Sequence, residues 1–167
     1  PLKKTENIKP MNKQMAFYQT TLNNLSSVDS MYLSDLVAYE NKVQSIKDCS
    51  PALYNNRMSR ITPVKTSIKA EQLKIAEALA LISSTQTQLD ATNSSSQQRD
   101  IFNAYMEKVE DGGLPGLQDE GARRVEYNQN KTYVDADTEL SNTITACAIV
   151  PVDTTTGSPG NNGDATK

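Results

Sequence analysis

Eleven positions in the first third of this chain follow one another in alternating steps of four and three: Met11, Met15, Tyr18, Leu22, Leu25, Asp29, Tyr32, Leu36, Tyr39, Val43 and Ile46. Ten are apolar or aromatic, and only Asp29 breaks the set. Spacing of this kind gathers the apolar side chains into one narrow stripe along a helix, which is buried only when other helices cover it. It predicts a helix from about residue 11 to 47, on the order of 55 Å long at 1.5 Å per residue. Asn23 to Ser30, "NNLSSVDS", is the place for a kink, because Ser, Asn and Asp compete for backbone hydrogen bonds.

A second stripe carries Ile61, Ile68, Ile75, Ile82 and Leu89 at intervals of seven, with Val64, Leu73, Ala78 and Leu79 beside them. Its seam is half polar, with Gln72 and Gln86 where Leu would suit, so its expected contact is with other helices, chiefly the first. Pro51 and the polar run to Arg60 read as a connection, and Thr62 followed by Pro63 as the helix start. Ser95 and Gln98 have capping-box spacing for a shorter third helix faced by Ile101, Phe102, Tyr105, Met106 and Val109. The glycines and proline of "DGGLPG", Asp111 to Gly116, stop it. A last long helix is expected from about Gln118 to Ile149, with Ala122, Val125, Tyr133, Ala136, Leu140, Ile144 and Cys147 as its stripe.

These elements define an all-α chain: an elongated bundle of three long helices plus one short helix, with an extended C-terminal tail. Residues 1–10 form a basic N-terminal arm, 11–150 the helical bundle and 151–167 a low-complexity tail rich in Gly, Ser, Thr and Asn. The scarcity of large apolar residues, with no Trp and two Phe, suits thin helices with narrow seams better than a thick core. No apolar run is long enough to predict a membrane span. Pro1 in place of Met has two readings, a mature form cut from a precursor and a chain trimmed after its initiator; the first is expected.

If the first helix runs up, the second down and the last up, Cys49 and Cys147 reach the same end. A disulfide between them is expected, and it implies an oxidising location: cell surface, periplasm, virion or secreted. Two free thiols in an intracellular coiled-coil adaptor are the alternative.

With no histidine, the chain lacks Ser-His-Asp and Cys-His triads and His-based metal sites. The glycines of "DGGLPG" lack the Gly-Lys-Ser/Thr ending of a phosphate loop, and "DADTE", Asp135 to Glu139, departs from a calcium loop and reads as an exposed acidic helix face. No catalytic residue, metal site, cofactor or small-molecule substrate is therefore assigned. Arg57, Arg60, Lys65, Lys69 and Lys74 are candidates for an anionic partner, but no recognition motif accompanies them and nucleic acid is not expected. Asn24, Asn93 and Asn130 match the glycosylation pattern at a frequency close to chance.

Charge is uneven: residues 1–75 hold eleven basic and six acidic side chains, and the remainder six and fourteen. Opposite poles favour contacts between copies. The interaction candidates are Lys3, Lys4, Lys9 and Lys13 of the arm and the seam tyrosines Tyr18, Tyr32 and Tyr39, read either as core or as an intersubunit seam. The expected function is a non-enzymatic structural or interaction subunit of an extracytoplasmic assembly, such as a pilus, secretion apparatus, surface layer or virion. Its partners would be copies of itself or other protein subunits.

Overall fold

The computed structural model describes the backbone of residues 2–149 and side chains from residue 8 onward. The tail assigned to residues 151–167 and the side chains of Lys3 and Lys4 lie outside these bounds. The described residues are all-helical: α1 is Leu2–Gln44, α2 Pro51–Ala91, α3 Ser95–Asp111, α4 Leu117–Asp135 and α5 Thr138–Ile149.

The heptad stripe accounts for α1. Of its eleven positions, every one from Met15 to Ile46 is buried, and Met11 is partly so. The helix runs unbroken through Asp29 and begins well before Met11, taking in Pro10. Its end comes at Gln44, where bonds from Ser45, Ile46 and Lys47 reach back three residues instead of four and tighten the chain into the turn before Pro51.

The start of α2 differs from expectation. The helix opens at Pro51, whose missing N–H costs nothing at a first helical position, and it continues through Pro63 as an interior residue. Ile61, Ile68, Ile75, Ile82 and Leu89 are all buried against α1, so packing of this stripe holds the helix across the proline. Leu73, grouped with the stripe from sequence, points the other way and is 74% exposed.

At the lower end, the cap of α3 is Ser94, one residue earlier than the spacing suggested; its hydroxyl accepts from the Gln97 amide at 3.3 Å. Gln98 is buried instead of serving the cap. Gly113 carries a positive φ of 74°, a conformation glycine adopts without penalty, and it turns the chain towards Pro115.

The last long helix is two helices. It breaks at Ala136 and Asp137, because the Asp137 carboxylate caps α5 through the Leu140 amide at 3.2 Å. Together α3, α4 and α5 form one ascending column parallel to α1, with α2 descending beside both. Cross-links between α1 and this column keep a nearly constant separation: 97 residues from Tyr18 to Pro115, 94 from Tyr32 to Glu126 and 98 from Cys49 to Cys147. A constant offset of that kind is the signature of parallel, in-register columns.

The core has three apolar sections. The lower one joins Met15, Leu22 and Leu25 to Ile75, Ile82 and Tyr105; the middle joins Tyr32 and Leu36 to Ile68; the upper joins Val43 and Ile46 to Ile61 and Leu140.

Candidate functional site

The polar groups of this bundle sit at successive stations along the α1 seam, each reaching into the third column. At the lowest, the Tyr18 hydroxyl donates to the Pro115 carbonyl at 2.6 Å. Burial, followed by the nearby Asp119 charge, pushes this phenol up to about 12.

The second station lies between the lower and middle apolar sections. Asp29, fully buried on α1, faces Glu71 of α2 and Arg123 and Glu126 of α4. The Arg123 guanidinium donates through Nε to Glu71 Oε1 at 2.8 Å and through Nη2 to the Ser67 hydroxyl at 3.1 Å. It also lies 3.3 Å from Glu126 Oε1 and 3.4 Å from Asp29 Oδ1. One turn above, Tyr32 donates to Glu126 Oε2 at 3.0 Å and its ring meets Tyr127. Neither Asp29 oxygen accepts a hydrogen bond from a donor. Burial first, then the neighbouring Glu71 carboxyl, raises the Asp29 carboxyl to about 8, against the smaller opposing pull of Arg123.

The third station is fully paired. Arg57 donates from Nε to Asp137 Oδ2 at 3.0 Å and from Nη2 to Asp137 Oδ1 at 2.9 Å, and Nη2 also reaches Glu139 at 2.9 Å. Tyr39 donates to the same carboxylate. Burial alone would raise the Asp137 carboxyl, but Arg57, the Tyr39 hydroxyl and the Leu140 amide together hold it down at about 2. Bidentate pairing of this geometry is the strong form of a charge-assisted bond. At the top, Cys49 and Cys147 form a disulfide with Cα atoms 5.8 Å apart.

Several sequence expectations change here. Arg57 is buried in an ion pair and is not offered to an anionic partner, while Lys65 pairs with Glu40 and Lys74 with Glu77. Asp137, read as part of an exposed acidic face, is an interior anchor and a helix cap. Arg123 takes the buried place on α4 that Val125 was expected to hold, and Val125 is 57% exposed. The three seam tyrosines are buried, and each hydroxyl is bonded within the chain. They leave no free edge for a second copy. Lys9 and Lys13 are exposed on α1, close in sequence to Phe17, which is 61% exposed. Of the three glycosylation-pattern asparagines, Asn24 and Asn93 are exposed, whereas the Asn130 amide nitrogen is buried.

Arg123, Glu71 and Glu126 were missed from sequence. The signal was Asp29 itself: a carboxyl in an otherwise apolar stripe demands a cation on a facing helix.

Chemically, these stations bind side chains to one another. Among the described residues, no group of His, Cys, Asp and Glu is placed to hold a metal ion, and no helix is long and apolar enough to cross a membrane. Fold and stations together define a disulfide-tied, all-helical bundle with ion-paired polar layers. Comparison with protein-family models, with curated proteins and with solved structures returns no match.

Proposed function

We propose that the chain is a structural or interaction subunit of an extracytoplasmic assembly, a pilus, secretion-apparatus, surface or virion component, acting through helix contacts with copies of itself or with other subunits. The observation that carries this reading is the Cys49–Cys147 disulfide, which ties the α1–α2 turn to the last helix across 98 residues. A bridge of that kind persists in oxidising compartments. The interior arginines support it too, because they are spent on holding helices together: Arg57 on Asp137, Arg123 on Glu71. The outward surface that remains for a partner includes Phe17, with Lys13 one turn and Lys9 two turns before it, on the basic half of the chain.

The test is sedimentation velocity of the oxidised chain over a wide concentration range, alongside the triple variant Lys9→Glu, Lys13→Glu, Phe17→Ser. Association that weakens in the variant is expected. A wild-type monomer at every concentration removes self-assembly. Peptide mapping without reduction, on protein from its native source, addresses location: a linked Cys49–Cys147 peptide supports an exported life, and two free thiols overturn it.

A further inference from the structure

Asp29 is the one α1 seam residue whose burial has no ordinary justification. Three carboxyl groups surround it or belong to it: its own from α1, Glu71 from α2 and Glu126 from α4. One cation, Arg123, serves all three, and the Tyr32 hydroxyl is already donated to Glu126. Glu126 is 43% exposed and can keep its charge in water; Asp29 is 0% exposed and cannot. A buried carboxylate with no hydrogen-bond donor and only a share of one cation is strongly disfavoured, and such a group neutralises instead. Both Asp29 oxygens lack a donor, and Glu71, the carboxyl facing them, is an acceptor when ionised. Two carboxyls in that relation make a hydrogen bond only when one of them is protonated.

We propose that Asp29 and Glu71 hold a single proton between them, and that its loss is an alkaline release built into the middle of the bundle, setting α1 against α2 at this level while the disulfide keeps the upper end tied. With the proton present, the pair is one neutral acid bonded to one carboxylate, and Arg123 balances the remaining charge. Without it, two adjacent carboxylates share a guanidinium already engaged by Glu126. Repulsion then acts across the contact of α1 with α2, between Asp29 of one helix and Glu71 of the other.

The sign of the pH effect follows from the raised carboxyl. The folded chain retains a proton that the unfolded chain gives up near pH 4. Stability from this station is complete below about pH 4 and declines as pH rises to about 8. Within that window the folding constant falls by up to about tenfold per pH unit for one proton.

The experiment is urea unfolding of the oxidised chain at intervals from pH 5 to 9, for wild type and for Asp29→Asn, which keeps shape and can donate to Glu71. Wild type should lose stability as pH rises, and the variant should show a distinctly smaller slope. Equal slopes would overturn the proposal. If the variant does not fold, carbon-13 carboxyl NMR of aspartate-labelled wild type decides. An aspartate signal titrating above pH 6 supports the shared proton, and the absence of any such signal overturns it.

Discussion

At the scale of single residues, two buried aspartates show how environment sets opposite chemistry on one side-chain type. Asp137 has a full set of donors in Arg57, Tyr39 and the Leu140 amide and is held ionised; Asp29 shares one guanidinium with two other carboxyls and is driven to take up a proton. Replacing Asp137 by Ala strands the buried Arg57 charge and removes the cap of α5, and should cost about 3 kcal/mol by urea unfolding. Asp137→Asn keeps a capping oxygen and should cost less. The acid limb follows from the same group. Its folded carboxyl lies below its unfolded value, so its stabilisation is present above about pH 4 and is lost as pH falls towards 2. Against the alkaline decline set by Asp29, the two groups together place greatest stability in the mildly acidic range, a profile that unfolding midpoints between pH 2 and 9 would display. Neither role was legible one residue at a time. Asp29 announced itself by interrupting a stripe, but "DADTE" carries no periodic feature that separates Asp137 from its exposed neighbours.

At the scale of helices, packing overrode local preference where the two conflicted. Pro63 was read as a start signal because proline is at home in a first turn, yet α2 passes through it. The reason lies on both sides of the proline: Ile61 and Ile68 are buried against α1, and apolar burial of order 2 kcal/mol per side chain outweighs one absent hydrogen bond. Pro63 itself faces solvent, so Pro63→Ala restores an N–H without disturbing the core. It should stabilise the chain by about 1 to 3 kcal/mol, read as a rise in the urea midpoint with an unchanged slope. The division between α4 and α5 has the converse origin. A continuous helix was expected there, but the Asp137 carboxylate that receives the bidentate bond from Arg57 also caps α5 through the Leu140 amide, and the capping role places Asp137 outside the helix.

For the whole molecule, the disulfide and the polar stations do one job: they set the register of the third column against the first. Only Leu140 of α5 is fully buried, with Ile144 packed partly against the same cluster, so that helix leans heavily on its two ends, the Arg57 pair below and the bridge to Cys49 above. Reduction should therefore lower stability by about 2 to 4 kcal/mol, with a chain-entropy ceiling near 4.7 kcal/mol for a loop of about 100 residues. Hydrogen exchange is expected to rise first in residues 138–149. Exchange in that segment unaffected by reductant would mean that packing and the Arg57 pair suffice to hold it.

The heptad stripe of α1 and the sevenfold isoleucines of α2 were decided by sequence alone, because helical periodicity depends on neighbours a few positions away along the same chain. The pairing of the cysteines was an expectation that rested on a supposed up-down-up order, with free thiols as the alternative, and the structure brings the two together. What only the tertiary structure decided is which polar residues face inward and whom they meet. Arg57 with Asp137, and Arg123 with Asp29, Glu71 and Glu126, are partners brought together from separate helices. Their burial is favourable only because each supplies what the others lack, and that condition exists in no segment until the columns are side by side.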